Sequence, residues 1–482
     1  MSTTLSELTT ITAAARAAAP RAARASGAER SAWLTAMADA LDAHTAELVA
    51  IADEETHLGE VRLTGEVART TGQLRLFASV VLEGSYLEAT IDHAVPSAVP
   101  PRPDLRRLLV PVGPVAVYSA SNFPFAFSVA GGDTASALAV GCPVVVKAHS
   151  GHPKLSVRTA EIVSEALAAA GAPDGLFALV SGREVGSALV TDPAIKAAGF
   201  TGSVSGGRAL FDLASQRQDP IPFYGELGSI NPVVITAAAV SARGTELAAG
   251  LATSFTNGAG QFCTKPGVVF VPENSGFESL LAEAAAEKTG GKLLTDRITA
   301  AYPESLSALA SNSAVQVVLG SVEQNSAENG ASPVVFATTA VAATNEPDSL
   351  YEECFGPTTL LVRYSSEEEL VAALKALPGS LTGTIHAEPS DDTAEVLDLL
   401  SERSGRVLFA GWPTGVAVTW SQQHGGPWPA TTSLHTSVGA TAGRRFLRPL
   451  AFQDAPESAL PDALKESNPL GIPRRVDGQL QL

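Results

Sequence analysis

The chain has 482 residues, of which 32 are basic and 50 are acidic, so its formal net charge is −18. This charge argues against a nucleic-acid-binding protein, and the 45% of hydrophobic residues argues against a disordered one. Cys142, Cys263 and Cys354 are too few for a disulfide framework or a cysteine zinc cluster. This sparse count fits a reducing cytoplasm. His149 and His152 have no metal-like partner cluster in the sequence, so we predict no metal site. The sequence contains no apolar run of about 18 residues, so no membrane span is expected.

The N-terminal part of the chain predicts helices followed by an extended segment. Residues 1–30 are rich in Ala, Arg and Ser, as transit peptides are, but Glu7 and Glu29 favour a helical start of the mature protein. Residues 30–85 contain few helix breakers. Between residues 92 and 114, repeated prolines exclude helix and central strand, so this part is either an extended crossing segment or a peripheral hairpin.

From residue 114 onward, short apolar runs alternate with helical stretches, and a second such series begins near residue 231. This alternation is typical of parallel sheets covered by helices on both faces. We therefore predict an α/β chain with two such domains. The predicted strands are 115–120, 143–147, 176–181, 196–202, 231–236, 267–271, 357–364, 381–387 and 405–411. The predicted helices are 154–170, 183–190, 204–216, 239–255, 366–377 and 391–402.

Cys263 is the candidate nucleophile. It follows a predicted helix in the sequence Asn-Gly-Ala-Gly-Gln-Phe-Cys-Thr. Small residues let a substrate approach the backbone closely, and a thiolate is the best side-chain nucleophile near neutral pH. A small buried hydrophobe is the alternative, because most free cysteines are of that kind. Cys142 and Cys354 are interpreted as packing residues.

Two polar residues near predicted strands are further catalytic candidates. Glu226 is a lone acid among apolar and small residues just before a strand, where burial would raise its pKa towards the range of a general base. An exposed acid in a turn is the alternative. The Asn122 amide could donate a hydrogen bond to an oxyanion, and its alternative is an ordinary turn asparagine.

Other strand ends suggest a site for phosphate or ribose. Gly202 permits a tight turn between Thr201 and Ser203, and the Ser203 hydroxyl and the first amides of the next helix could bind a pyrophosphate. An ordinary helix cap at Ser203 is the alternative. Lys147 ends a strand, where ligands of open parallel sheets bind, although it could equally be a solvated lysine. Glu353 and Phe355 lie in Glu-Glu-Cys-Phe-Gly-Pro, which is interpreted as a fixed loop.

Taken together in this order, these motifs resemble the aldehyde dehydrogenase superfamily from about residue 70 to the end. More narrowly, they resemble the branch that contains α-ketoglutaric semialdehyde dehydrogenases and NADP-dependent fatty aldehyde dehydrogenases. The motifs are Ser-Asn-Phe-Pro, Val-Val-Lys, Phe-Thr-Gly-Ser, Glu-Leu-Gly, Gly-Gln-Phe-Cys and Glu-Glu-Cys-Phe-Gly-Pro.

The resemblance implies a catalytic role for three residues. Cys263 would attack the aldehyde carbon, and its own amide and the Asn122 side chain would stabilise the oxyanion. Hydride loss to a nicotinamide cofactor would leave a thioester, which Glu226 would hydrolyse by activating water. The implied activity is oxidation of an aldehyde to a carboxylic acid, with α-ketoglutaric semialdehyde as the first substrate and aliphatic or fatty aldehydes as the alternative.

The resemblance also implies a cofactor site. Lys147 would hold the adenosine ribose, Thr201, Gly202 and Ser203 the pyrophosphate, and Glu353 the nicotinamide ribose, with Phe355 near the nicotinamide. Many NAD-using relatives have a glutamate at the position of Ser150. The absence of that glutamate here, together with the positive charge of Arg183, favours NADP, with NAD as a possible second cofactor.

The implied architecture is two Rossmann-like domains and a small oligomerisation arm, in a homodimer or homotetramer. A dinucleotide-binding domain would comprise residues 1–88 and 112–224, a catalytic domain residues 225–450, and the arm residues 89–111 and 451–482. Relatives usually carry a longer N-terminal segment with a small β-hairpin, so we expect an edge of the cofactor domain to be less covered here. The substrate pocket is expected to involve Phe125, Phe127, Phe255 and Phe262 and loops between Trp412 and Trp428.

Two other functions compete with hydrolytic oxidation. An enzyme that passes the thioester to a thiol such as coenzyme A would not need Glu226 as a base. A non-catalytic, dinucleotide-binding or structural relative would be expected to lack Cys263 or Glu226, and both are present.

Overall fold

The computed structural model describes residues 2–323, 325 and 330–482. Its N-terminal part is helical, as predicted. The first helix begins with a capping box, in which the Thr4 side chain accepts from the Glu7 amide and the Glu7 carboxylate accepts from the Thr4 amide. Trp33, Leu34 and Phe77 are buried in the core that these helices share with the first sheet. The helices are α1 (Leu5–Arg24), α2 (Gly27–Ala43), α3 (Thr45–Thr56) and α4 (Glu60–Glu83).

Two strands from the proline-rich segment precede the first parallel sheet, whose strand order is β5-β4-β3-β6-β7. All of its neighbouring strands are parallel, so their carboxyl ends meet at one edge. The sequence interpretation missed α5, which is buried nearly all round and therefore has no polar stripe. It also missed β7. The elements are β1 (Thr90–Asp92), β2 (Leu105–Pro111), β3 (Val115–Tyr118), α5 (Gly132–Ala139), β4 (Val144–Lys147), α6 (Pro153–Ala169), β5 (Phe177–Val180), α7 (Arg183–Thr191), β6 (Ala197–Thr201), α8 (Val204–Ser215) and β7 (Phe223–Glu226).

The second sheet has seven strands in the order β10-β11-β12-β9-β8-β13-β14, and only β10 runs antiparallel to its neighbour. Hydrophobic cores lie on both of its faces. The sequence interpretation left residues 273–350 unassigned. The elements are β8 (Val233–Ile235), α9 (Ala237–Thr256), β9 (Val268–Pro272), α10 (Phe277–Ala286), α11 (Asp296–Ser311), β10 (Gln316–Leu319), β11 (Val334–Thr339), α12 (Ala340–Asn345), α13 (Pro347–Leu350), β12 (Thr358–Tyr364), α14 (Glu367–Lys375), β13 (Ser380–His386), α15 (Ala394–Arg403) and β14 (Ser404–Phe409).

The third sheet joins the proline-rich segment to the C-terminus in the strand order β15-β2-β1-β16-β17. β2 pairs with β15 along seven residues, from Leu105 opposite Gln453 to Pro111 opposite Leu447. Residues 224 and 450, at which the sequence interpretation divides the domains, lie inside β7 and β15. Within the described residues, no helix is both long and apolar enough to cross a membrane. The remaining strands are β15 (Leu447–Gln453), β16 (Arg474–Val476) and β17 (Gln479–Gln481).

Candidate active site

Glu226 lies where the first sheet meets the second part of the chain. It is the last residue of β7 and only 2% exposed, so the alternative of an exposed turn acid is wrong. Its carbonyl oxygen accepts a hydrogen bond from the Gly202 amide at 3.0 Å. The backbone of the predicted pyrophosphate turn is therefore tied directly to the predicted general base.

The Glu226 carboxylate is held by two side chains from the C-terminal part of the chain. His424 Nε2 donates to Oε1 at 3.0 Å, and Ser437 Oγ donates to Oε2 at 2.8 Å. Burial by itself would raise the pKa of Glu226, but the interactions with His424 and Ser437 outweigh it and the net pKa is lowered. The expectation of a raised pKa is therefore wrong, because it took account of burial without these partners.

Cys263 lies beside this pair, on the loop that follows α9. Its Sγ is 3.8 Å from His424 Nε2, and the side chain is half-buried. Burial and the nearby negative charge of Glu226 raise the pKa of the thiol well above its usual value. The thiol is therefore protonated next to the ionised Glu226 carboxylate, which is the group that could take its proton, because His424 Nε2 already donates to that carboxylate.

The same cluster bears on the prediction that no metal is present. Glu226, Cys263 and His424 each offer one ligand atom, and these atoms lie within 4.8 Å of one another. Such a set includes the ligand types that zinc accepts. The absence of a metal site thus stays a prediction.

Close backbone packing fixes the loop that carries Cys263. Gly260 has a φ of +70°, and a side chain there would collide with the backbone of Gly356. Asn231 Nδ2 donates to the carbonyls of Cys263 and Lys265 at 2.8 and 2.9 Å. Lys265 in turn donates to the carbonyls of Cys354 and Thr358. The sequence interpretation missed these supports, and the loop with the cysteine and the loop with Glu353 are thereby held together.

Asn122 lies next to the cysteine loop, as the resemblance implied. Its side chain is buried, and Nδ2 donates to the Gln261 carbonyl at 3.0 Å. The amide nitrogen carries two hydrogens, so one remains for another acceptor. The Asn122 carbonyl accepts from Arg62 Nη2 at 2.6 Å, which fixes the backbone at this point.

His424 is the most important site residue that the sequence interpretation missed. It is 1% exposed and lies 198 residues from Glu226 and 161 residues from Cys263 along the chain. The surrounding letters, Ser-Gln-Gln-His-Gly-Gly, contain no metal or nucleophile motif. A histidine brought in by long-range packing leaves no local signal.

The four aromatic residues predicted for the pocket lie in different surroundings. Phe125 and Phe255 are buried in hydrophobic cores, so their contribution to the pocket stays a prediction. Phe262 lies edge-on to Phe123 at 5.1 Å, and Phe123 lies 5.5 Å from Phe127, as measured between ring centroids. Phe127 also contacts the ring of His424 at 6.1 Å. Phe123, which the sequence interpretation missed, is therefore the centre of the aromatic cluster.

The two tryptophans at the ends of the loop region expected to line the pocket also differ in their surroundings. Trp412 packs against His386, with the ring centroids 4.6 Å apart. Trp428 is half exposed and lies near the Arg208 guanidinium. Neither of these contacts involves Cys263.

The predicted phosphate and ribose residues lie along the carboxyl edge of the first sheet. Lys147 is half-buried, and burial lowers its pKa; among the described residues its ammonium has no hydrogen-bond partner. Ser203 caps α8 by accepting from the Gly206 amide and remains exposed, so capping and ligand binding are compatible there. Thr201 is half-buried and Gly202 exposed. A side chain at Gly202 would come within 2.7 Å of the Phe200 ring, so glycine keeps this turn open.

Ser150 and Arg183 flank the same edge. Both are exposed, and Arg183 is the first residue of α7. Residues at the N-terminus pack beside it, since the Thr3 amide donates to the Ser181 carbonyl at 3.1 Å. Two positively charged groups, Lys147 and Arg183, are thus available near one strand edge.

Glu353 and Phe355 are half-buried in the loop before β12. The Glu353 carboxylate lies so close to Gly228 that a side chain there would come within 2.7 Å of Oε2. Burial raises the pKa of Glu353 to about 7, although Lys265 opposes this. The unpartnered Lys147, the open Gly202 turn and the acceptor at Glu353 together fit a dinucleotide whose phosphates need donors and whose ribose needs an acceptor.

The other two cysteines are packing residues, as predicted. Cys142 is fully buried, with its sulfur 3.4 Å from the Phe446 carbonyl, and burial raises its pKa to about 11. Cys354 is buried in the core of the second sheet.

The sequence model of the aldehyde dehydrogenase family matches residues 2–428. Alpha-ketoglutaric semialdehyde dehydrogenase 2 of Azospirillum brasilense is 47% identical over 463 residues, which cover 94% of this chain and 88% of that protein. Alpha-ketoglutaric semialdehyde dehydrogenase of Acinetobacter baylyi is 43% identical over 460 residues, covering 94% and 87%.

Solved structures with low sequence identity share the fold. 1-Pyrroline-5-carboxylate dehydrogenase from Thermus with bound NAD superimposes with a TM-score of 0.79 at 22% identity, over 94% of this chain and 86% of that one. Methylmalonate-semialdehyde dehydrogenase from Oceanimonas doudoroffii has a TM-score of 0.80 at 17% identity, over 94% and 91%. This chain spans 45% of the length of proline utilization A from Bradyrhizobium japonicum, at a TM-score of 0.79. On the family match and the two relatives above 40% identity, this chain belongs to the aldehyde dehydrogenase family and is an oxidoreductase that acts on aldehydes.

Proposed function

We propose that this chain oxidises α-ketoglutaric semialdehyde to 2-oxoglutarate, with NADP as the preferred cofactor and NAD as a possible alternative. The observation that carries the proposal is the cluster of Cys263, Glu226 and His424 at the edge of the first sheet. The names of the Azospirillum and Acinetobacter relatives supply the substrate.

In the proposed reaction, Cys263 attacks the aldehyde carbon and forms a thiohemiacetal. The thiol proton passes to the Glu226 carboxylate, which lies beside the sulfur, and from there to solvent before the hydrolytic step begins. The remaining Asn122 N–H and the Cys263 amide donate to the oxyanion. Bound NAD(P) supplies the hydride acceptor, and the residues proposed to hold it are Lys147, Thr201, Gly202, Ser203, Glu353 and Phe355.

Loss of hydride leaves a thioester on Cys263, and water must then cleave it. Glu226 is the proposed base: its carboxylate is ionised because its pKa is lowered, and it lies beside the sulfur that becomes the leaving group. Glu226 takes a proton from water as the hydroxyl adds to the thioester carbon. The C–S bond then breaks, which releases the carboxylic acid and restores the cysteine. This base argues against transfer of the acyl group to coenzyme A.

Cofactor preference and assembly are part of the proposal. Ser150 places no negative charge near a 2′-phosphate, and the exposed Arg183 offers a partner for it.

We retain the division into a dinucleotide-binding domain, a catalytic domain and an arm, in a cytoplasmic homodimer or homotetramer. In support of assembly, β14 and β17 are open edge strands within the described part of the chain, and Phe409 on β14 is 59% exposed.

The test is an aldehyde panel with NADP and with NAD, scored by kcat/KM. We expect α-ketoglutaric semialdehyde with NADP to give the highest value. Better turnover of long aliphatic aldehydes would instead favour the fatty aldehyde alternative, which the cluster of Phe123, Phe127 and Phe262 could accommodate. No oxidation of any aldehyde would favour a non-catalytic relative.

A further inference from the structure

Helix α4 presents a polar stripe to the interior of the protein. Arg62, Glu66, Arg69 and Gln73 are spaced by four, three and four residues, so they share one face of the helix. Glu66 and Gln73 are buried and both arginines are half-buried. Buried charged groups are costly unless they are paired or serve a ligand. For each of these four side chains we therefore ask whether it has a partner within the protein or is free to bind a ligand.

Two of the four residues have structural partners. Glu66 Oε1 accepts from the amides of Phe125 and Ala126 at 2.8 and 3.0 Å, which holds the segment that follows Asn122. Arg62 donates to the Asn122 carbonyl at 2.6 Å. Both residues thus support the predicted oxyanion donor through the backbone.

Arg69 differs from them. Among the residues that the structure describes, it has no hydrogen-bond or ion-pair partner, and its Nη1 atom is buried. Its guanidinium carbon lies 5.3 Å from the centroid of Phe127, whose ring contacts His424. Glu66, Cys263 and Glu226 are the groups that interact with its charge, but none of them forms an ion pair with it. A free cation therefore lies one aromatic ring from the catalytic cluster.

We propose that Arg69 binds the distal carboxylate of the aldehyde substrate and so determines specificity for semialdehyde acids. This inference rests on the proposed function. In 2,5-dioxopentanoate the aldehyde and carboxylate carbons are four bonds apart, roughly 5–6 Å in an extended chain. A guanidinium can bind a carboxylate with two parallel hydrogen bonds. This interaction is strongest where water is excluded. The Phe127 ring would pack along the apolar middle of the chain.

The test compares two aldehydes in wild-type and Arg69→Met enzyme at saturating NADP. Met keeps most of the aliphatic volume of Arg. We expect kcat/KM for 2,5-dioxopentanoate to fall about 100-fold, which is the size of a lost charge-assisted interaction, while kcat/KM for pentanal stays within about twofold. Arg69→Lys should recover part of the loss. Equal losses for both aldehydes, or no loss for either, would overturn the proposal.

A matched control on the same helix is Arg75→Met. Arg75 is exposed and pairs with Asp39 and Asp42, so its loss should leave both kcat/KM values unchanged. Arg62→Met provides a contrast. Because Arg62 holds the Asn122 backbone, its loss should lower kcat/KM for both aldehydes to the same extent.

A binding experiment separates this inference from the proposed function. Glutaramate carries one carboxylate and a neutral amide on a five-carbon chain, whereas pentanamide lacks the carboxylate. Both would be measured as inhibitors of pentanal oxidation. Arg69→Met should weaken inhibition by glutaramate at least tenfold and leave pentanamide unaffected. If wild-type enzyme does not prefer 2,5-dioxopentanoate, the proposed function fails, yet this measurement still decides whether Arg69 binds a carboxylate. Unchanged inhibition by glutaramate would overturn the inference.

Discussion

The catalytic cluster and the cofactor edge lie next to each other but differ in how their polar groups are satisfied. Glu226 and His424 are almost completely buried and bind each other, and Ser437 completes the carboxylate's partners. Along the cofactor edge, Ser203 and Arg183 are exposed and Lys147 has no partner among the described residues. The cluster is thus preorganised within the chain, whereas the edge offers groups that a ligand would satisfy.

This difference predicts that changes in the cluster reduce turnover of every aldehyde, whereas changes at the edge mainly alter cofactor affinity and choice. The largest effect is expected for Cys263→Ala, which removes the nucleophile. Aldehyde oxidation should fall at least about 1,000-fold, while NADP affinity, measured by titration calorimetry, should be unchanged. Cys142→Ala is the control. Because Cys142 lies in the core, this substitution should lower the thermal stability but leave the activity unchanged. Appreciable turnover by Cys263→Ala would refute the assignment of the nucleophile.

Glu226→Gln is expected to have the second-largest effect. Without the carboxylate, hydrolysis of the thioester should slow about 100-fold or more, as is typical for loss of a general base. The acyl-enzyme would accumulate, and the first turnover would appear as a burst of NADPH followed by a slow phase. The exposed Glu184→Gln should show neither effect. An unchanged steady-state rate would contradict the role of Glu226 as the base.

His424→Leu, which removes the donor to Glu226, should change the pH dependence as well as the rate. The contact with His424 lowers the pKa of Glu226, so losing it should raise that pKa and keep more of the carboxylate protonated at a given pH. The acidic limb of the profile of kcat/KM against pH should therefore move to higher pH, with about a tenfold loss at pH 7 that shrinks at higher pH. His424→Gln, which retains an amide donor, should recover part of the activity. A loss that is the same at every pH would contradict this explanation.

The smallest effect is expected at the cofactor edge. Ser150→Glu introduces a negative charge near the proposed 2′-phosphate site and should lower the ratio of kcat/KM for NADP to that for NAD by about tenfold. Arg183→Ala should change the ratio in the same direction. Both variants should leave kcat with saturating cofactor nearly unchanged. A preference for NAD in the wild-type enzyme, or an unchanged ratio in both variants, would show that these residues do not select the cofactor.

Features that depend on neighbouring residues could be predicted from the sequence, whereas features that depend on packing between distant segments could not. Strands such as β4 and β12 were predicted because their apolar runs are local patterns, and Cys263 was identified because glycine and small residues surround it in the chain. α5 was missed because it is buried on nearly every side and has no amphipathic period. The central position of Phe123 among the aromatic rings could not be predicted, because residue type alone does not show which way an aromatic ring points.

The alternation of strands and helices, the acidic balance, the nucleophilic loop and the family resemblance can be predicted without the fold, because each depends on composition or on residues that are neighbours in the chain. The fold brings His424 into contact with Glu226 across 198 residues and thereby lowers the pKa of Glu226. It also decided that Arg69 lies unpartnered beside Phe127, among the residues that the structure describes. These features depend on packing between distant segments, and the strength of an electrostatic interaction depends on burial and distance, which only the fold sets.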